Sequence, residues 1–326
     1  MSICSRIRPL FAFLAIGIAT TMLPARANDY PQRPVKLIVP FAAGGGTDTL
    51  GRLLAKQLSD ALAQPVIVEN VTGAAGTLGT ASVTRAPADG ETLLLGASVT
   101  NAIAPALYPQ LRYDPVKDFA PIAQIATFGN PIVVAPSLPV HNIAELVRWA
   151  KQSKDGGAYG SWGIGSSGHL AMEMVNRQSG ISMTHVPYKG TVLALNDVLA
   201  GQLSVAVTDP LVVAPFYKTG KVRVIAMTGS QRSSAMPDVP TLVEQGIPMS
   251  IDSWYAIFAP AKTPEPVQRK LRSALAQATA SADFKKTLSD LGLMPASLSL
   301  ADFDAVRRKD VVVWAQLVKL SGAKAE

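Results

Sequence analysis

Cysteine occurs once in this 326-residue chain, as Cys4, and Asp, Glu, Lys and Arg together make up only 16% of it. Cys4 lies in an N-terminal segment with the marks of a leader: Arg6 and Arg8 precede an apolar stretch from Leu10 to Leu23, and "ARA" at Ala25 to Ala27 supplies small residues for cleavage. A mature chain beginning at Asn28 has no thiol, which excludes a disulfide, a cysteine nucleophile and a thiolate metal site. Charge of one sign is also scarce. Loss of Arg6, Arg8 and Arg26 with no acid lowers the formal charge of +7 by three, and no Lys/Arg-rich patch of the sort that nucleic acid requires remains. No later stretch supplies the roughly 18 uninterrupted apolar residues of a membrane span, because Asp209, Pro210 and Pro215 break the most apolar candidate. A P-loop is missing as well, since no Gly-Lys-Ser/Thr follows at the required spacing. The chain reads as soluble and exported, with residues 1–27 a signal peptide cleaved after Ala27 and the periplasm as destination.

What is present is alternation. Short β-branched runs alternate with helical patterns, the signature of βαβ units and an α/β fold. "VKLIVPF" predicts a strand, followed by Leu50, Leu53, Leu54, Leu58 and Leu62 at helical spacing; "PVIVEN", "TLLLGA" and "FAPIAQIAT" predict further strands, and "ASVTRAP" a short helix. A second series starts at "NPIVVAP", with a helix capped by Asn142 and apolar at Ile143, Leu146, Val147 and Ala150. It continues through the glycine-rich "GGAYGSWGIGSSG", the helix "HLAMEMVNRQ", the strand "SMTHVPY", a helix stopped by Gly201, and the strands "LSVAVTD" and "VRVIAMT". After "SWYAIFAP" the pattern is helical to the end, and these helices are expected to pack back on the first series. The expected division is a discontinuous first domain, residues 28–128 with 253–326, and a second domain, residues 129–252. Two crossings between domains make a hinged molecule with a cleft.

In an open α/β sheet, ligands bind beyond the carboxyl ends of the strands, where loops lead into helices. "PFAAGGGTD", from Pro40 to Asp48, is such a loop. Its glycines Gly44, Gly45 and Gly46 bare the backbone, and free N–H groups at a helix start attract a small anion. Asp48 complicates this: it is either a helix cap or a group that reads a ligand ammonium, hydroxyl or water. Similar loops supply Thr72, Gly73, Ala74 and Ala75 after the second strand, Ser98 after the third, and Gly165, Ser166 and Ser167 before a helix. "PYKG" adds Lys189 and Gly190, and "VTDP" adds Asp209. Their recurrence in both halves suits one cleft that gathers them around one ligand.

These segments together resemble the substrate-binding proteins of tripartite tricarboxylate transporters, the Bug family. The resemblance spans the mature chain, from "YPQRPVKLIVPFAAGGGTDTLGRLLA" through "VENVTGAAGTLG", "GETLLLG" and "SSGHLAMEM" to "HVPYKG", "MPDVPTLVEQG" and "FAPAKTP". It implies a two-domain periplasmic binding protein of the type II fold, each domain a mainly parallel sheet flanked by helices. It also implies a small carboxylate ligand, whether a di- or tricarboxylate, an acidic amino acid or an aromatic acid. The implied partners are membrane subunits of a tripartite tricarboxylate-type transporter, with no cofactor, no metal and a monomeric state. One carboxylate would be gripped by Phe41, Ala43, Gly44, Gly45 and Asp48 of the first loop and by Thr72 to Gly76 of the second. The distal end of the ligand would meet Ser166, Ser167, His169, Lys189 and Asp209. The chain departs from the family pattern at Val71, where arginine is usual, at Ala74 and Ala75, where paired glycines are usual, and at Thr191, usually glycine.

Other chemistries fit less well. A dinucleotide site would use Gly44, Gly46 and Glu69, but Thr49 stands where glycine is needed and Asp48 would face the pyrophosphate. A periplasmic esterase would need G-x-S-x-G, which "YGSWGIGSSGH" never forms. His169 and Glu173 are one helical turn apart but lack a third metal ligand, so His169 reads as a ligand contact or a helix-start polar group. His141 and His185 read as structural. Trp162, Trp254 and Tyr255 could line the cleft or pack near the hinge. A sensory role, with the liganded protein docking on a sensor kinase, is the remaining alternative to transport.

Overall fold

The computed structural model describes residues 30–324, so the expected leader and its expected cleavage site lie outside the described residues. β1 (Val35–Val39), β2 (Val66–Asn70) and β3 (Thr92–Ala97) are linked by α1 (Gly46–Leu62) and α2 (Thr77–Thr84), and β1 runs parallel to both neighbours. Leu50, Leu54, Leu58 and Leu62 recur along one side of α1 and are buried, so the helix covers the sheet with that stripe. Val99–Ile103 forms a turn of π-helix that runs into the short α3 (Ala104–Leu107), and β4 (Phe119–Phe128) follows.

The next stretch contains β5 (Pro131–Val134), α4 (Ile143–Gln152), β6 (Ala158–Ser161), α5 (Ser167–Ser179), β7 (Thr184–Pro187), α6 (Thr191–Leu199), β8 (Val205–Val207), α7 (Pro210–Lys218) and β9 (Arg223–Met227). The chain ends with β10 (Ser253–Pro260), α8 (Glu265–Ala280), α9 (Ala282–Asp290), the two-residue β11 (Met294–Pro295) and α10 (Leu300–Ser321). The sequence reading lacks α7, α3 and β11. Pro215 inside α7 argued against a helix there, although Asp209 as cap and Pro210 in the first turn are helix-start signals.

Two sheets result, ordered β11-β4-β10-β3-β1-β2 and β7-β6-β8-β5-β9, with helices on their faces. β1, β2 and β3 are parallel, as are β6, β7 and β8, whereas β10 is antiparallel to β3 and β4, and β5 to β8 and β9. β5 and β10, through which the chain enters a sheet from the other one, run against their neighbours, as does the short β11 against β4. All eight residues of β10 are buried, as suits a central strand covered on both faces. Its side chains alternate: Ser253 and Tyr255 line the cavity described below, while Trp254 points to α10 and donates from Nε1 to Asp310, 2.8 Å away. α8 packs on α1 and β4, and α10 on β4 and the π-helical turn.

The chain passes between the sheets twice, after β4 and before β10. Asn130 joins both passages. Its N–H donates to Thr228 Oγ1 at 2.8 Å, and its Oδ1 accepts from Ser167 Oγ at 2.9 Å and Ser253 Oγ at 3.3 Å.

Candidate ligand-binding site

A cavity of about 1140 Å³ lies between the two sheets, lined by loops from both. On the first sheet's side it meets the start of α1. Gly45, as cap, offers no side chain, and the Gly45 N–H reaches only Ala42 O at 3.3 Å. The N–H groups of Gly46 and Thr47, the first two residues of α1, have no acceptor among the described residues, and both residues line the cavity. First-turn N–H groups have no partner within the helix and carry its positive dipole end, so this wall suits an anion. The loop Thr72 to Gly76 and Ser98 stand beside it.

The second sheet supplies Trp162, Gly163, Ile164 and Ser167, then Tyr188, Lys189 and Gly190 with the start of α6. Tyr188 is fixed by a 2.6 Å bond from its hydroxyl to Asp197. Between the walls, Tyr255 stacks on Phe128 with ring centroids 4.8 Å apart and donates to Asp209 Oδ2 at 2.5 Å. Asp209 Oδ1 accepts the Leu211 N–H at 2.9 Å, capping α7. Burial pushes the Asp209 carboxyl up to about 6, against the two hydrogen bonds that favour its ionised form. The Tyr255 hydroxyl is raised well above its ordinary value by burial and by the Asp209 charge.

Of the residues expected at the ligand, Phe41, Ala43, Gly44, Gly45, Thr72, Gly73, Ala74, Ala75, Ser98, Ser167, Lys189, Gly190 and Asp209 line this cavity. Asp48, Gly165, Ser166 and His169 do not; they hold its walls from behind. Asp48 Oδ2 accepts from Gly44 N–H and Arg52 Nε, both at 2.9 Å, and Oδ1 accepts from Asn70 Nδ2 at 3.0 Å. Asn70 also donates to Phe41 O at 3.0 Å, so Asp48 ties the first loop to the root of the second. Burial alone would raise the Asp48 carboxyl, but the bonds from Arg52, Gly44 and Asn70 outweigh it and hold it below the ordinary value. Ser166 caps α5, accepting from His169 N–H at 3.2 Å and donating to Ser161 Oγ at 2.9 Å. His169 Nδ1 accepts the Gly165 N–H at 2.9 Å, which fixes the turn after Ile164, and its ring stacks on His185 at 3.9 Å. Ser161 bonds His185 Nε2 at 2.7 Å and is fully buried, away from the cavity. Glu69, the acid of the dinucleotide reading, is half exposed and paired with Lys36 at 3.3 Å.

The model of the tripartite tricarboxylate transporter family receptor, TctC, matches residues 50–322. The chain belongs to the TctC family. BugT of Bordetella pertussis is 32% identical over 319 residues, covering 97% of this chain and 98% of BugT. MatC from Rhodopseudomonas palustris, solved with bound malate, is 32% identical with a TM-score of 0.82, over 89% of this chain and 100% of MatC. An R. palustris protein solved with adipate is also 32% identical, with a TM-score of 0.86, over 91% of this chain and 99% of that one.

Within this TctC-family cleft, the second loop bends through Ala74 at φ 45° and Ala75 at φ 51°, left-handed values that residues with a Cβ resist. Gly165, at φ +70°, makes a close approach from the other side: a Cβ there would stand 2.0 Å from Leu107 Cδ1 of α3. Lining residues absent from the sequence reading include Tyr108, Phe128, Leu193 and Ser253. Phe128 and Ser253 flank the two passages between sheets, and that position was the available signal; Tyr108 and Leu193 had none.

Proposed function

We propose that this chain is a periplasmic solute-binding protein that closes two halves around a small carboxylate-bearing organic acid and delivers it to a tripartite tricarboxylate-type transporter. The moving halves are residues 28–128 with 253–326, and residues 129–252. The observation that carries the reading is the pair of unpartnered N–H groups at Gly46 and Thr47, on a cavity wall that faces loops of the other sheet. A buried carboxylate needs donors of this kind to offset its lost hydration. Malate and adipate, bound by two relatives of about the same length, support a carboxylate here too. The cavity, about 1140 Å³, exceeds the ~300–1,000 Å³ usual for ligand pockets, which supports closure on binding. Binding without chemistry is supported by Ser161 and His185, the one serine hydroxyl bonded to a histidine ring among the described residues, which are engaged behind the wall. The leader pattern of residues 1–27 supports export.

The test is calorimetry, melting and small-angle scattering with malate and adipate. Near 100 times its dissociation constant, a bound acid should add about 2.7 kcal/mol of stability, reduce the radius of gyration and be recovered unchanged. Binding at constant radius would remove the closure claim, and consumption of the acid would make the protein an enzyme.

A further inference from the structure

Asp209 is the one carboxylate lining the cavity, and Lys189 the one ammonium. They are placed unequally. Lys189 is exposed on the rim, whereas Asp209 is 7% exposed and lies against Gly46: a Cβ on Gly46 would come within 2.8 Å of Asp209 Oδ1. Asp209 is therefore beside the α1 N–H groups, where a ligand carboxylate would bind. An ionised carboxylate has about four acceptor positions, and two are used, by Leu211 N–H and Tyr255 Oη. The wall beyond mixes apolar and aromatic groups, Phe128, Trp162 and Ile164 among them, with polar ones: Ser167, Lys189 and the uncapped start of α6 at Thr191 and Val192.

A ligand carboxylate seated at Gly46 and Thr47 would meet the charge of Asp209 unless a donor beside it occupied the unused acceptor positions. We infer that the preferred ligand carries a hydroxyl or ammonium next to its carboxylate, and that Asp209 selects it by accepting from that donor. This rests on the carboxylate-binding reading above. The carboxylate meets Gly46 and Thr47, and the adjacent donor meets Asp209.

The test is calorimetry on the intact mature protein with phenyllactate, phenylalanine, 3-phenylpropionate, malate and adipate. The tightest of phenyllactate, phenylalanine and malate, which carry the donor, should bind at least tenfold more tightly than 3-phenylpropionate or adipate, which lack it. In Asp209→Asn, with an unchanged circular dichroism spectrum, that preference should fall about tenfold. Wild-type protein gives a second readout: the preference should shrink as pH falls through about 6 and Asp209 takes up a proton, and Asp209→Asn should lack this dependence. The other ionisable groups that line the cavity are Tyr108, Tyr188, Lys189 and Tyr255, with Asp48 and Arg52 behind the first loop. An acid without the donor, 3-phenylpropionate or adipate, binding as tightly as the best acid that carries it, or an order unchanged by Asp209→Asn, would overturn the inference and leave the carboxylate reading intact. Absence of binding by every acid would overturn both.

Discussion

Replacing Asp209 by Asn should stabilise the protein above pH 6. The native carboxyl titrates at about 6 because it is buried, against 3.8 for an ordinary aspartate. Between those two values the native state holds a proton that the unfolded chain has released, so stability falls as pH rises from about 4 to about 6. Above about 6 both states are ionised and the full cost is present. At about 1.4 kcal/mol per tenfold change in proton affinity, the interval from 3.8 to about 6 amounts to about 3 kcal/mol. Asn retains an acceptor for the Leu211 N–H and an amide for the Tyr255 hydroxyl, but loses the charge-assisted strength of the latter bond, worth about 1–2 kcal/mol. Because a value of about 6 already includes that bond, the gain should be about 2–3 kcal/mol larger at pH 8 than at pH 4. Urea denaturation of both proteins at pH 4, 6 and 8 measures it, because titrations common to both cancel in the difference. A difference that is flat with pH, or that favours the wild type more at pH 8 than at pH 4, would refute the reasoning.

Asp48→Ala removes the acceptor for Gly44, Arg52 and Asn70; it should cost about 1–3 kcal/mol at neutral pH and weaken binding of any acid that raises the melting temperature, though Asp48 touches no cavity space. That stabilisation should fade as pH drops below the ordinary carboxylate range, and unchanged affinity would mean the loop is held by other contacts. Gly165→Ala should cost about 2–4 kcal/mol, combining left-handed strain with overpacking. Gly180→Ala, at φ +61° with open space around it, should cost only the ~1–2 kcal/mol of strain, so equal losses at the two sites would deny the clash with Leu107. Ala75→Gly should leave melting unchanged or raise it by up to ~1 kcal/mol equivalent, relief at φ 51° outweighing glycine's added freedom when unfolded. The same change at Ala81, buried inside α2, should lower stability by about 1 kcal/mol or more.

Strands and the loops after them were legible because their signals are local: β-branched runs, helical leucine spacing, and small residues at the turns. The loops that line the cavity could be read for the same reason. Side-chain direction could not. Asp48 follows the cradle by one residue, yet the turn of α1 aims it at Asn70 and Arg52, away from the cavity. His169 similarly points back to Gly165. Phe128 and Ser253 could be placed only by their position at the passages between sheets, and Tyr108 and Leu193 carry no local mark at all. The helix α7 was hidden by Pro215, whose missing N–H near the end of a short helix proves tolerable.

β10 sits between β3 and β4, although all of residues 129–252 separate β4 from it in the chain. Until Ser253 to Pro260 have been synthesised, β4 has no neighbour in its sheet and β3 has an open edge, so the backbone N–H and C=O groups along that edge stay unpaired. Every strand of the other sheet has by then been made. The half that holds β1 is therefore the last to be finished, and a chain stalled before Ser253 would carry one complete sheet and one unpaired, aggregation-prone edge.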